Sequence, residues 1–554
     1  MKDEQNKRNP GSEINQTAGT PSNSEEKHSP KFGKRNGNRR RKDFRGKQNP
    51  GRRNGEERPP KSNDPQWHIP STALIRDGAT FPFSQRLGGS VDIEANYGND
   101  VKVNGSFTVP GILSFKTLLS PGVSDNAASP VNLAMVKMYS WIRHMNSGHA
   151  NYDPVDLGIY LSCVTEAYAW LGYMIRIYGV ARSYSYRNRY LPAALLTAMN
   201  MDAADVQANL AQLRYYINTY ILKLQIFKVP QDFRLLRYAF YIYSNVFKDS
   251  DTDAKAQMYL YTPAGYRTYD EISGAGAARM NRWAWSQAVA PDPGASTTHT
   301  IAELVGVMDK MIELLNASED VGIISGDINK AYGEKTFSVV PVGVEDVELT
   351  AQYDESVLSQ IEHTTVFNIT NSDAAVAAWD ITQDPTVSFL VHKPFCGTMN
   401  ALNIESLDHN YILNMHHKDV KPEEIIEATR FISLARPDES TPTKWNFYTT
   451  GAAVVCEATF FRYNTDPKVP GLYHLSRFYT NYGQTAGTQA AFNMLSNWTN
   501  FDWAPNVYVW EKASDGTITF YGVFGDLANY TLLNPSDIQR LNELSILALW
   551  GITE

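Results

Sequence analysis

Asp153-Pro-Val-Asp-Leu-Gly-Ile-Tyr-Leu-Ser-Cys-Val-Thr-Glu-Ala-Tyr-Ala-Trp-Leu-Gly-Tyr-Met-Ile-Arg-Ile-Tyr-Gly179 decides the fold class of this chain. Asp153 is a carboxylate suited to cap a helix, and Pro154 suits the first helical position, where a backbone N–H has no partner to lose. Leu157, Leu161, Tyr168, Trp170 and Leu171 carry the apolar pattern onward to Gly179. The whole of 131–249 reads the same way. After Asp202, the residues Val206, Leu210, Leu213, Ile217, Ile221 and Leu224 recur in steps of three and four, which places them on one helix face, and Pro230 stops the run. Phe233 to Phe247 is apolar on nearly every side and predicts a buried helix. Gly274, Gly276, Pro291, Pro293 and Gly294 make 265–299 read as a connection, and Gly274-Ala-Gly276 as part of a flexible linker. Thr300 with Glu303 then forms a capping box ahead of Leu304, Met308, Met311 and Leu315.

Past Phe337 the period changes from helical to alternating. Val340, Val342 and Val344 step by two, as do Val347 and Leu349 after an acidic break, and Phe447–Tyr463 and Val507–Phe520 read as strands, the latter pair turning at Asp515-Gly516. A helix over Pro422–Leu434 interrupts them, and an amphipathic one over Pro535–Trp550 closes the chain. The predicted organisation is an arm over 1–65, a helical domain over 66–335 with a linker near 265–299, a mixed β-rich region over 336–530, and a C-terminal helix over 531–554 that returns to the first domain. No internal repeat is visible, and early strands are absent from this reading.

The first 65 residues are a different polymer. Lys31, Lys34, Arg35, Arg39, Arg40, Arg41, Lys42, Arg45, Lys47, Arg52 and Arg53 face a single acid, Asp43, with almost no aliphatic side chain among them. Such a composition does not offset the backbone entropy of ordering, about 1–2 kcal/mol per residue, so a solvated arm is expected. Residues 1–65 carry 17 Lys+Arg minus 9 Asp+Glu, or +8, and the remainder 34 minus 50, or −16. A cationic arm on an acidic body is suited to holding a polyanion through its phosphates, and these eleven cations are the expected nucleic-acid contacts. Phe32 and Phe44 flank the run and supply little stacking surface. The same Lys/Arg cluster also fits a nuclear targeting signal.

Catalytic constellations are nearly missing. Asp249-Ser-Asp251-Thr-Asp253 imitates the start of a calcium loop, yet the sixth position is Ala254 and the twelfth Leu260. His409, His416 and His417 lack any accompanying metal-ligand spacing, His392 and Cys396 are separated by Pro394, and neither a Walker lysine nor a Gly-Asp-Asp triplet occurs. Cys163, Cys396 and Cys456 are odd in number and far apart, so neither a disulfide framework nor export is expected. No cofactor is implied, and no apolar run suits a membrane span. With 31 Tyr, 23 Phe and 11 Trp the acidic body is rich in the residues that anchor subunit contacts, as is the alternation Arg182, Tyr184, Tyr186, Arg187, Arg189, Tyr190.

An arm for polyanions, an acidic body without a reaction centre and a surplus of contact residues describe a protein that assembles around nucleic acid. Trp67-His-Ile-Pro70, Val155-Asp-Leu-Gly-Ile-Tyr160 with its continuation to Gly179, and Tyr184-Ser-Tyr-Arg-Asn-Arg-Tyr-Leu-Pro192 resemble picobirnavirus capsid proteins across most of the chain. The resemblance implies a mainly α-helical shell domain with a mixed α+β projecting domain and no jelly roll. It further implies a homodimer, sixty of which close an icosahedral shell around double-stranded RNA and a packaged viral polymerase. Release of an N-terminal propeptide and perturbation of host membranes at entry are also implied, as are synthesis in the host cytoplasm and residence in the virion. Two other readings are a non-viral RNA-binding, chaperone-like assembly protein, which would form small soluble oligomers, and an enzyme with a scattered site, which would gather titratable groups in a pocket.

Overall fold

The structure, a computed structural model, describes residues 90–97, 101–108, 111–148, 151–183, 190–249, 257–272, 275–285, 298–343, 349–367, 369, 372–398, 411–438, 440–441, 444–464, 471–478, 511–512, 518–519 and 528–552. All fall in the second of two compact units, Met1–Thr80 and Phe81–Glu554. Strands β1 (Ser90–Tyr97) and β2 (Val101–Thr108) pair antiparallel, and β3 (Ile112–Leu119) follows. Six helices come next: α1 (Pro130–Met145), α2 (Pro154–Arg182), α3 (Tyr190–Ala198), α4 (Ala203–Ala208), α5 (Leu210–Leu224) and α6 (Arg234–Ser244). Strands β4 (Phe247–Lys248), β5 (Met258–Pro263), β6 (Gly265–Ile272) and β7 (Ala275–Arg282) precede α7 (Ile301–Ala317) and α8 (Glu319–Tyr332). Beyond them lie β8 (Gln352–Tyr353), α9 (Glu355–Glu362), α10 (Asp373–Ala377), β9 (Thr382–Gln383), β10 (Leu390–Val391), β11 (Phe395–Thr398), β12 (Tyr411–Met415) and α11 (Pro422–Ala428). The chain ends with β13 (Leu434–Pro437), β14 (Lys444–Thr449), β15 (Ala453–Asn464), β16 (Gly471–Phe478), β17 (Glu511–Lys512), β18 (Ile518–Thr519), β19 (Asn529–Leu533) and α12 (Pro535–Leu549).

Helix α2 is the axis of the core. Pro154 occupies its first turn, and the Asp153 backbone N–H donates to the Asp156 carboxylate at 2.8 Å, so two otherwise orphaned groups at the start are accounted for. From Leu157 to Ala181 every residue but the half-buried Ile175 is buried, which a helix apolar all round requires. α1, α3, α5, α6, α7 and the β6–β7 hairpin pack around it. At Gly172 a Cβ would stand 2.9 Å from the Phe240 carbonyl, so only glycine lets α6 lie this close. Arg176, fully buried, donates to the carbonyls of Asn245 (3.1 Å) and Ile242, acceptors at the end of α6 that have no helical partner, and to the Tyr261 carbonyl of β5. Burial pulls its guanidinium down to about 10, which leaves it charged at neutral pH.

The main sheet has the order β16-β15-β3-β5-β4-β8. β3 sits within it, antiparallel to β15 and parallel to β5, with both faces buried. Its Lys116 meets Glu457 of β15 at 3.0 Å, so the charges at the buried centre are paired. Residues 453–464 and 471–478, from the segment read as β-rich, therefore share one sheet with 112–119 and 258–263 from the segment read as helical. α12 packs on α1, α6, α11 and β14, and Trp550 stands edge-on to Phe233 at 4.9 Å. Gly551, at φ 76°, turns the chain past the Asp232 carbonyl.

Several expectations are corrected. Residues 265–282 are not a connection but an antiparallel hairpin: Gly265 is a close-approach site, where a Cβ would lie 2.5 Å from the Asn281 carbonyl, and Gly276 lies in β7 against Tyr269. Early strands exist, since β1, β2 and β3 precede the first helix. The helix after Asp202 breaks at Asn209, whose side-chain amide donates back to the Asp205 carbonyl and carboxylate at 3.0 Å and takes the backbone out of helical geometry at ψ 22°. α6 is two-sided, with Arg234 and Arg237 exposed. α11 ends at Ala428, because Thr429 onward turns into β13. Val340 and Val342 lie in no strand, and Val342 is held by Asn218, which accepts from its N–H at 2.8 Å and donates to its carbonyl at 3.1 Å. Val344, Val347 and 513–517 lie outside the described residues.

The capping box at α7 is present, with the Glu303 N–H donating to the Thr300 hydroxyl and the Thr300 N–H to the Glu303 carboxylate at 2.8 Å. Thr300→Ala is expected to lower stability by about 1 kcal/mol, read as a shift of the urea midpoint.

Candidate functional site

The eleven cations from Lys31 to Arg53 lie outside the described residues, as do Tyr184, Tyr186, Arg187, Arg189, Asp251, Asp253 and His409. Arg182 ends α2 in an exposed position.

The catalytic candidates come apart in the fold. His392 is buried beside β10, its Nδ1 3.2 Å from the Asp380 carbonyl, and burial together with nearby Arg267 pushes its imidazole down to about 3, so it is neutral at physiological pH. Cys396, on β11, donates instead to the Trp445 carbonyl at 3.6 Å, and burial pushes its thiol up to about 12. A thiol held there is not a nucleophile at neutral pH. Cys163 and Cys456 are likewise buried, free and raised by burial. Asp249 closes the β4–β5 connection, accepting from the Gln257 N–H and the Tyr259 hydroxyl, both at 2.9 Å. Among the described residues no group of three or more His, Cys, Asp or Glu side chains suits a metal ion, and no helix is long and apolar enough to cross a membrane.

His416 and His417 do acquire a setting. They follow β12 at the mouth of a cleft of about 500 Å³ between α9 and α11. His416 Nε2 lies 3.0 Å from the buried Glu362 carboxylate, which also accepts from the Asn414 amide at 3.2 Å. His417 Nε2 lies 2.9 Å from Glu424, whose carboxyl is held below its usual range by the Lys421 backbone N–H first and by His417 second. His363 bridges the same elements, with Nδ1 donating to the Ser359 carbonyl at 2.7 Å and Nε2 accepting from the Asn414 N–H at 3.0 Å. Each histidine thus faces a fixed partner from another element. The cluster ties β12 to α9 and α11.

What the described residues present to an outside molecule is apolar surface. On α1, Leu133, Val136, Trp141 and Met145 are exposed opposite the buried Val131, Met135, Met138 and Ile142. On α5 the predicted stripe Leu213, Ile217, Ile221 and Leu224 is core, and the opposite side carries exposed Tyr215 and Leu222. Clustered large apolar side chains in water mark contact surfaces. Helical periodicity picks out the buried stripe and is silent about the second one.

A family model described as Picobirnavirus, Capsid protein, matches residues 67–462. The capsid protein precursor of Human picobirnavirus (strain Human/Thailand/Hy005102/-) is 26% identical over 518 residues, covering 89% of this chain and 91% of its own length. The fold is similar to that in an X-ray crystallographic structure of the picobirnavirus capsid, with a TM-score of 0.69 and 22% identity over 88% of this chain and 98% of that one. The matched family region opens at Trp67, takes in α2 and the hairpin β6–β7, and closes within β15, so it contains the helical axis and every strand of the main sheet before β16 except the last two residues of β15. This chain belongs to the picobirnavirus capsid protein family.

Proposed function

We propose that this chain is the subunit of a closed icosahedral shell, assembled from sixty homodimers, that encloses double-stranded RNA together with a viral polymerase. In this reading residues 66–335 form the shell and much of 336–530 projects from it, apart from β8, β15 and β16, which complete the shell's sheet. The arm over 1–65 lies inside and contacts RNA phosphates through Lys31 to Arg53. The chain carries no enzymatic step of its own. It is made in the host cytoplasm, resides in the virion, loses an N-terminal propeptide and perturbs a host membrane at entry.

The observation that carries the proposal is the charge division in a chain of this family: +8 over 1–65 against −16 over the rest, by the counts above. Acidic bodies repel one another and the genome, so cations that compensate RNA must come from the arm. Deleting residues 1–53 is expected to leave a body that folds and closes into shells holding several-fold less RNA, measured by absorbance ratio and electron microscopy of purified particles. Truncated particles with the full RNA content would overturn the role of the arm. The isolated arm peptide is expected to release single-stranded RNA as salt rises, with a log–log slope of about −0.7 per phosphate contacted.

A further inference from the structure

Three polar side chains meet in the interior where β6, the turn between α10 and β9, and the end of β10 come together: Arg267, Trp379 and His392, each at most 2% exposed. Arg267 uses its Nε on the Trp379 carbonyl at 3.0 Å and its Nη1 on Glu166 and the Leu119 carbonyl, while its Nη2 has no partner among the described residues. The indole Nε1 of Trp379 and the Nε2 of His392 are likewise buried without a partner. The groups are neighbours. The Trp379 and His392 rings lie 5.9 Å apart at 65°, the Nε bond of Arg267 ends on Trp379 itself, and Arg267 is near enough to hold the His392 imidazole down.

The chemistry of the unused atoms is specific. His392 Nδ1 faces the Asp380 carbonyl at 3.2 Å, and a carbonyl only accepts, so the ring proton sits on Nδ1 and Nε2 is a bare acceptor. Arg267 Nη2 and Trp379 Nε1 can only donate. A direct bond from one of these donors to His392 would still leave the other donor buried and unpaired, which is costly in so apolar a setting.

What could serve all three atoms is narrowly defined. A cation is repelled by the guanidinium and finds two donors where it needs acceptors. An anion meets the lone pair of Nε2, and the charge of Arg267 is already balanced by Glu166 at 2.6 Å. An apolar molecule satisfies none of them. A small neutral molecule that both accepts and donates remains, and a buried water makes about three hydrogen bonds of this kind. We infer that Arg267, Trp379 and His392 bind one internal water molecule, which accepts from Arg267 Nη2 and Trp379 Nε1 and donates to His392 Nε2. Through it the arginine that joins the hairpin, the central helix and the main sheet also reaches β10, and the imidazole is fixed in its Nδ1–H form. The site is independent of whether the chain builds a shell.

X-ray diffraction from crystals of the full-length protein, at a resolution that shows ordered solvent, is expected to place one water about 2.7–3.2 Å from all three atoms. Side chains bonded directly to one another, or three atoms with no solvent peak among them, would overturn the site. In solution, magnetic relaxation dispersion of water oxygen counts long-lived internal waters. His392→Phe keeps a ring in place and removes the acceptor, and the folded variant is expected to hold one such water fewer than wild type. An unchanged count would overturn the part given to His392; if the variant does not fold, the wild-type density decides.

Discussion

Arg267→Met is expected to destabilise the folded chain by about 3–5 kcal/mol, read from urea unfolding at neutral pH. The guanidinium is 2% exposed and donates to three acceptors: Glu166 of α2 at 2.6 Å, the Leu119 carbonyl at the end of β3 at 2.8 Å, and the Trp379 carbonyl at 3.0 Å. It lies on β6, so one side chain joins the hairpin, the central helix, the main sheet and the smaller apolar cluster around Trp379, Trp445 and Phe447. Methionine fills similar space but leaves a carboxylate in the core without its cation. Burial already pushes the Glu166 carboxyl up, against the pull of Arg267, so in the variant that group takes a proton and the loss shrinks as pH falls. Glu166→Gln combined with Arg267→Met is expected to recover part of the loss, because the orphaned charge is gone. Arg282→Met is the control: its ion pair with Asp373 is as short, 2.6 Å, but Asp373 is 97% exposed, and less than about 1 kcal/mol is expected. A deficit for Arg267→Met no larger than that of Arg282→Met would show that the buried pair is not what joins these layers.

The same residue explains why the hairpin was hidden in the sequence. A strand with a cation among its inward positions does not alternate as an amphipathic strand does, and the acceptors that make Arg267 tolerable come from 119, 166 and 379. β3 is hidden for a related reason. Its Ile-Leu-Ser-Phe-Lys-Thr-Leu-Leu is buried on both faces, and Lys116 reads as a surface residue until Glu457, 341 positions later, is known to sit against it. By contrast the helices are governed by local chemistry. Asp153-Pro154 and Thr300 with Glu303 act within one turn, and the stripe Leu213, Ile217, Ile221 and Leu224 answers to a single periodicity, so these elements were legible. Asn209 shows the limit even there: its side chain competes with the helix through Asp205, four residues back, and divides one predicted element into two.

The functional surface was legible only in part, for reasons of the same kind. The arm declares itself by composition, because a solvated segment keeps its chemistry in its residues and needs no partner from elsewhere in the chain. The outer face of α5 does not, since Tyr215 and Leu222 look like ordinary helix residues until Leu213 and Ile217 are seen to take the core. His392 and Cys396, near in sequence, part company because β10 and β11 hand them to different carbonyls.

Acid is expected to weaken the body through His392, and His392→Asn is expected to remove that part of the response. The imidazole is fully buried and held down to about 3 by burial and by Arg267, against an ordinary value near 6.5 in the unfolded chain. Between those two values the unfolded chain binds a proton here that the folded chain refuses. The folded state keeps its full advantage above pH 6.5 and loses it as pH falls toward 3, at about 1.4 kcal/mol per pH unit and on the order of 5 kcal/mol over the whole window. Asparagine at 392 retains a side-chain N–H for the Asp380 carbonyl but has no proton to gain. Urea midpoints of the two proteins between pH 7 and pH 4.5 should therefore converge as acid is added: whatever stability the smaller side chain costs at pH 7, the wild type is expected to lose about 3 kcal/mol more than the variant over that range. Parallel pH profiles would show that His392 takes up its proton in the folded chain as readily as in the unfolded one, and would move the acid response to groups elsewhere in the body.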